Sequence, residues 1–166
     1  MDKLWAPWRY NYVKKPSGSK TAQGCVLCKI INSKKDRANF VIYRSEKSIS
    51  VLNIFPYNNG HIMIIPKRHI KDFEKLTNTE YSDLMKHSKF IIKLLKKTFK
   101  PHGLNLGINL GRVSGAGIDK HLHLHLVPRW QGDANFMPII ANTKIISQSL
   151  ADCYKLLTKN IKTIQY

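Results

Sequence analysis

Acidic side chains are scarce. Ten Asp and Glu stand against 28 Lys and Arg in 166 residues, a formal net charge of +18, and such a field favours anionic partners. The lysines are scattered with no dense basic tail, so nucleic acid is not the expected partner and charge alone points to a small anionic substrate. Cysteine is also rare. Three thiols, two of them in Cys25-x-x-Cys28, exclude the disulfide framework of a small secreted domain and fit a reducing compartment. No apolar run reaches the ~20 residues that span a bilayer, and Met1 to Arg9 lacks the apolar core of a signal peptide. A cytoplasmic protein without a membrane partner is therefore expected. Nothing marks a second domain, and 19.1 kDa is enough to bury one real core.

What is present is a row of histidines. In His121-Leu122-His123-Leu124-His125-Leu126-Val127, histidine and leucine alternate strictly. That is a strand period, which sends the leucines to a core and the histidines to the opposite face. All three cannot share one metal ion. At ~3.3 Å per residue His121 and His125 start ~13 Å apart, whereas a metal bond spans only ~2 Å. The row is expected to divide its labour.

Around it the chain reads as an α+β fold, an antiparallel sheet with a long helix packed on it and a C-terminal helix. Residues 1–23 form an aromatic and basic arm with a Pro16-Ser17-Gly18-Ser19 link, anchored to its own domain or a partner subunit rather than stacked on bases. Residues 24–166 form a single domain with a C-terminal extension. Cys25 and Cys28 sit at a tight turn and offer two thiolates to a tetrahedral zinc, with a redox pair or two unlinked thiols as the competing readings. Cys153 is expected in the core. Strands are expected over 40–44, 48–54, 61–66 and 104–110, with a turn at Pro56-Tyr57-Asn58-Asn59-Gly60. Thr77 and Glu80 have capping-box spacing, and Tyr81, Leu84, Met85, Ser88, Ile91, Ile92, Leu95 and Phe99 form the apolar stripe of the helix that follows. Residues 145–164 give the second helix. Gly111 to Gly117 is a glycine-rich loop leading to the histidines, which suits phosphate binding through backbone amides, against simple hairpin geometry.

The sequence resembles the histidine triad (HIT) family, whose signature His-φ-His-φ-His-φ-φ (φ apolar) is met over His121 to Val127. Asn53-Ile54, Gly60-His61, Pro66-Lys67-Arg68-His69, Asn109 and Pro128-Arg129 also stand where that family places them. Leu4-Trp5-Ala6-Pro7-Trp8-Arg9 and the continuation from Arg129 to Pro138 are similar to its bacterial diadenosine tetraphosphate phosphorylase-like branch.

The resemblance implies a nucleotidyltransferase that acts on dinucleoside polyphosphates through a covalent nucleotidyl-histidine, with inorganic phosphate as co-substrate and ATP and ADP as products. Hydrolysis of dinucleoside polyphosphates or nucleoside phosphoramidates is the alternative within the family. A nucleotide-sensing or scaffold role is the alternative outside enzymology. The resemblance implies His123 as the nucleophile, its tautomer set by a backbone carbonyl. It gives His125 the scissile phosphate and the leaving group. Asn109 with Ser114, Gly115, Ala116 and Gly117 would hold phosphate oxygens, Asn53 the ribose and Ile54 the base. His61 would lie near phosphates or base, or else serve as a turn histidine. A structural zinc on Cys25, Cys28, His69 and His121 is implied by metal-bearing relatives, and a homodimer by the family. Two positions depart from the common pattern: Asn53 replaces an aspartate, and Ile118 stands near a position that is often a hydroxyl residue, in a loop one residue longer than in hydrolase-like relatives.

Overall fold

Residues 24–133, 140 and 145–164 are described in a computed structural model of the chain. Their centre is a five-stranded antiparallel sheet built from β1 (Val41–Arg44), β2 (Ser48–Leu52), β3 (Ile62–Pro66), β4 (Gly103–Ile108) and β5 (Leu124–Arg129), in the order β1-β2-β3-β5-β4. β1 to β3 form the meander expected from the sequence. The chain then crosses the sheet in the long helix α2 (Asn78–Phe99), lays β4 at the far edge and returns as β5 between β4 and β3. The aromatic arm lies outside the described residues. Among the described residues no helix is long and apolar enough to cross a membrane.

Strand alternation divides the sheet into two faces. Ile62, Ile64, Leu124 and Leu126 pack with Leu84, Ile91, Leu94 and Leu95 of α2 and with Cys153 and Leu157 of the C-terminal helix α3 (Leu150–Ile161). The other face carries Ile49, Val51, Met63 and Ile65, covered by Leu27 and Cys28 of α1 (Val26–Asn32). Each fully buried Leu or Ile contributes roughly 1.5–3 kcal/mol, so both layers matter. Met63 lies opposite His125, which in turn lies opposite Gly107. The histidine face is thus the face that α1 covers, and α2 lies behind the leucines as the sequence suggests.

The capping box is present: Thr77 Oγ1 accepts from the Glu80 amide and the Glu80 carboxylate accepts from the Thr77 amide. Glu80 also takes two hydrogen bonds from Arg68, at 2.7 Å each, and that guanidinium chiefly holds its carboxyl down at about 2. The start of α2 is thereby tied to the Pro66–His69 segment. The buried arc of α2 is wider than the predicted stripe. Phe90, Leu94 and His87 are buried, Tyr81 is exposed, and Ile92 is only half-buried; His87 and Phe90 face the sheet, against Tyr43 of β1, with His87 Nδ1 2.7 Å from Ser48 Oγ of β2. Gly60 closes the β2–β3 turn at φ +68°, where a Cβ would come within 2.7 Å of the Phe99 ring. Only glycine fits there without displacement.

Two expectations need correction. The Cys pair does not occupy a tight turn, since Cys25 caps α1 and Cys28 lies in its first turn. Residues three apart share a helix face, so the two sulfurs still converge. The histidine strand begins only at Leu124. Before it, the Leu122 amide donates to the Ile70 carbonyl at 2.6 Å, and the His121 ring turns towards α1. Residues 121–123 therefore stay off the ladder.

Candidate active site and metal centre

Leaving the ladder early has a chemical consequence, because it frees the His121 carbonyl. His123 Nδ1 donates to that oxygen at 2.9 Å. The proton is then fixed on Nδ1 and Nε2 keeps its lone pair. Burial lowers the His123 pKa below the ordinary histidine value, and the hydrogen bond to His121 opposes that shift only in part. The result is a neutral, oriented imidazole.

A second set of bonds fixes His125. The Tyr57 backbone amide donates to His61 Nδ1 at 3.1 Å, and the Asn53 side-chain Nδ2 approaches the same atom at 3.3 Å. With two donors directed at it, Nδ1 is an acceptor and His61 carries its proton on Nε2. That Nε2 lies 2.9 Å from His125 Nδ1, which places the His125 proton on Nε2. Burial, then the neighbouring His125 and His123, pushes His61 down to about 3. Burial first, then His123, brings His125 to about 4. His125 Nε2 is buried and has no partner among the described residues, so a donor is left over for something absent from the chain. Tyr57 lies against both rings, with centroids 4.6 Å from His61 and 5.6 Å from His125. Its only mark in the sequence is an aromatic residue inside the turn motif, and sequence reasoning missed it.

Of the remaining predicted residues, Asn53 adjoins His61 and Asn109 shares a cavity with His125. Asn53 is buried, with its side-chain oxygen held by the Phe55 amide at 2.9 Å, while Ile54 is exposed. Asn109 lines a cavity of about 370 Å³ together with His125 and Tyr57. The glycine loop contains a short 3₁₀ turn, Arg112–Ser114, followed by Gly115 at φ +96°. Ser114 Oγ is turned back onto the Leu110 and Gly111 carbonyls at 3.0 and 2.6 Å, and the Gly115 amide donates to the Arg112 carbonyl at 3.0 Å. Gly117 is exposed and Ala116 is buried. Ile118 packs against the apolar cluster beneath α1, which accounts for an apolar residue at that position.

Cys25, Cys28, His69 and His121 converge, with one ligand atom from each lying within 4.8 Å of every other. Cys25 Sγ is 3.5 Å from His121 Nδ1, Cys28 Sγ 3.4 Å from the same nitrogen and 3.1 Å from His69 Nδ1. Tetrahedral zinc bonds would separate a sulfur from a nitrogen by about 3.6 Å, so the residues fit that ion. His121 Nε2 is 2.9 Å from the Pro66 carbonyl. It donates there, which directs the Nδ1 lone pair at the sulfurs. Without an ion, burial raises the Cys28 thiol to about 11, with Cys25 adding to the shift.

Residues 34–132 match the HIT domain. The chain belongs to the HIT family. Within that family it is similar to the AP-4-A phosphorylase of Mycobacterium tuberculosis, 39% identical over 95% of this chain and 83% of the relative. Among solved HIT structures, a hypothetical histidine triad nucleotide-binding protein of Sulfolobus tokodaii is 31% identical, with a TM-score of 0.66 over 84% of this chain and 90% of its own. A zinc-bound histidine triad family protein of Mycobacterium smegmatis shares the fold at 24% identity, with a TM-score of 0.68 over 86% and 96% of the two chains. As a HIT protein with an AP-4-A phosphorylase relative, this chain is read as an enzyme acting on nucleotides.

Proposed function

We propose that this HIT protein transfers a nucleotidyl group through His123 and phosphorolyses dinucleoside polyphosphates. The observation that carries the reading is the His123 Nδ1–H donated to the His121 carbonyl, which leaves Nε2 as the reactive nitrogen. In the first step Nε2 forms a bond to the α-phosphorus of diadenosine tetraphosphate, and the P–O bond to the departing ATP breaks, its electron pair leaving on ATP. The His125 Nε2–H hydrogen-bonds the phosphate and departing oxygen. In the second step an oxygen of inorganic phosphate attacks the same phosphorus, ADP forms, and the N–P electron pair returns to His123. Splitting one displacement into two is the benefit of the covalent intermediate. The phosphorylase named among the relatives supports phosphate, rather than water, as the second nucleophile.

Asn109 and the amides of Ala116 and Gly117 serve the phosphate oxygens, the Gly115 amide being taken by the Arg112 carbonyl, with Asn53 for the ribose and Ile54 for the base in this reading. Cys25, Cys28, His69 and His121 would hold zinc. Four protein ligands leave no open position, so the ion supplies structural rigidity rather than Lewis acidity. His121 both faces this centre and offers its carbonyl to His123. The centre therefore positions the nucleophile. The protein acts as a homodimer in this reading, which sedimentation of the full chain would test.

Incubation with diadenosine tetraphosphate, with and without phosphate, tests the function. ATP and ADP formed only with phosphate is the expected outcome. Products that do not change with phosphate would establish hydrolysis instead.

A further inference from the structure

The segment that leaves the histidine strand, Pro128 to Asp133, has no role in the steps above. Asp133 lies in the turn after β5, and its side chain is only 8% exposed although that of Arg129 beside it is 48% exposed. The carboxylate accepts from Arg129 Nε and Nη2 at 2.7 and 2.8 Å, from the Trp130 amide at 3.1 Å and from Asn58 Nδ2 at 2.7 Å. Arg129 and Trp130 are its neighbours in the chain. Asn58 belongs to the β2–β3 turn, 75 positions earlier. Arg129 is itself aimed from β4, its Nη1 donating to Asn105 Oδ1 at 3.0 Å.

Asn58 is buried, and both ends of its side chain are committed. Nδ2 also donates to the Pro128 carbonyl at 3.1 Å, while Oδ1 accepts from the Asn59 amide at 3.1 Å. A carboxylate and a carbonyl can only accept, so the side-chain amide has one permitted orientation. Its backbone is held as well, the Asn58 carbonyl accepting from the His61 amide at 3.2 Å. The adjoining residue is Tyr57, whose backbone amide donates to His61 Nδ1. A ring of contacts therefore closes. It runs from His125 along β5 to Arg129 and Asp133, across to Asn58, through Tyr57 to His61, and from His61 Nε2 back to His125 Nδ1.

We propose that Asp133 is a positioning residue: through Asn58 it holds the Tyr57 amide against His61 Nδ1 and so keeps the proton of His125 on Nε2. The effect on rate rests on the nucleotidyl-transfer reading; the effect on the two rings does not. A bond from an amide to a carboxylate is stronger than one between neutral groups, and a hydrogen bond weakens steeply once it leaves its line. With Asn58 released, the Tyr57 amide moves off Nδ1, and Asn53 Nδ2 at 3.3 Å is the donor that remains. His61 then carries its proton on Nδ1 in part of the molecules, and its Nε2 becomes an acceptor. His125 answers by moving its own proton to Nδ1, so His125 Nε2 presents a lone pair in place of a donor. Each ring keeps one proton throughout. A carboxylate that only stapled the turn after β5 would leave both tautomers as they are.

Nitrogen NMR of the full chain as purified reads the tautomers without substrate. In the parent both His61 and His125 should be protonated on Nε2 and unprotonated on Nδ1. Asn58→Ala and Asp133→Ala should each add a second set of signals with His61 protonated on Nδ1. Asp133→Asn, which keeps the shape and one acceptor oxygen, should add a weaker set, and it carries the comparison where an alanine variant does not fold. In both alanine variants kcat on diadenosine tetraphosphate should fall at least about tenfold with KM changed less than about twofold, because the donor acts in the transition state rather than in binding. The double variant should be no slower than either single one, since both break the same link. Tautomers that stay unchanged in the variants, whatever the melting temperature does, overturn the assignment, as does a double variant whose loss is the product of the single ones. If the tautomers shift but diadenosine tetraphosphate leaves no nucleotidyl-histidine, the nucleotidyl-transfer reading fails while the positioning role stands.

Discussion

His123 Nδ1 lies 2.9 Å from the carbonyl oxygen of His121, and His121 Nδ1 lies 3.5 and 3.4 Å from the sulfurs of Cys25 and Cys28. One residue joins the candidate metal centre to the His123 imidazole. Its ring faces the sulfurs and its backbone fixes the neighbouring tautomer.

Zinc content is the first consequence. Purified protein should carry one zinc per chain, and Cys25→Ser or Cys28→Ser should lose it. The loss should lower stability by several kcal/mol, on the order of a fraction of the ~10–16 kcal/mol bound by structural zinc sites. Elemental analysis with thermal melts checks this. A metal-free parent with an unaltered melt contradicts it.

Replacing His61 tests the tautomer chain. His61→Ala removes the donor that fixes the proton on His125 Nε2, so kcat should fall by ~10²-fold, in the range of lost general acid–base assistance. Folding should survive, and kcat measured over pH should lose the profile of a single oriented donor. An unchanged kcat would show that His125 is oriented by something else.

Acid should act on stability and activity through different groups. Burial holds His87 at about 4, the nearby Asp83 raising it and Lys67 lowering it, and holds His61 at about 3. In the unfolded chain both take up protons near pH 6.5. Between that pH and about 4 the unfolded state binds more protons, so stability falls as pH falls through this window. His87 alone accounts for about 3 kcal/mol at the acid end. Chemical denaturation from pH 7 to pH 4 should show the loss, and His87→Gln should reduce it by about 3 kcal/mol while the His61 part remains. Activity should persist below pH 6.5, because the lowered His123 pKa keeps Nε2 unprotonated there.

Packing of α2 gives a stability contrast. Ile91 is fully buried, whereas its neighbour Ile92 is only half-buried. Ile91→Ala should cost roughly 2–5 kcal/mol, as large-to-small core changes do. The same change at Ile92 should cost under half of that, and urea titrations of both variants decide it.

Much of this organisation was legible in the sequence. Thr77 and Glu80 announced α2 because a capping box is local chemistry, and alternation over residues 121–127 separated the leucines from the histidines. What escaped is non-local. The early exit from the ladder at His121 depends on α1 and on the Ile70 carbonyl, and the burial of Phe90 depends on Tyr43 of β1. Tyr57 meets His61 and His125 only after the β2–β3 turn folds over the sheet. The pairing of Gly107 with His125 was hidden for the same reason, since they face each other across strands although they lie 18 positions apart in the sequence.

The central claim is that His123 Nε2 becomes covalently nucleotidylated. Rapid quenching of the parent with diadenosine tetraphosphate and no phosphate, followed by peptide mass spectrometry under alkaline conditions, reads it directly. The account predicts one added adenylyl group on His123, absent from His123→Asn, with added phosphate discharging it to ADP. Turnover of the same substrate with no adduct on His123, or with the adduct on another residue, would contradict it.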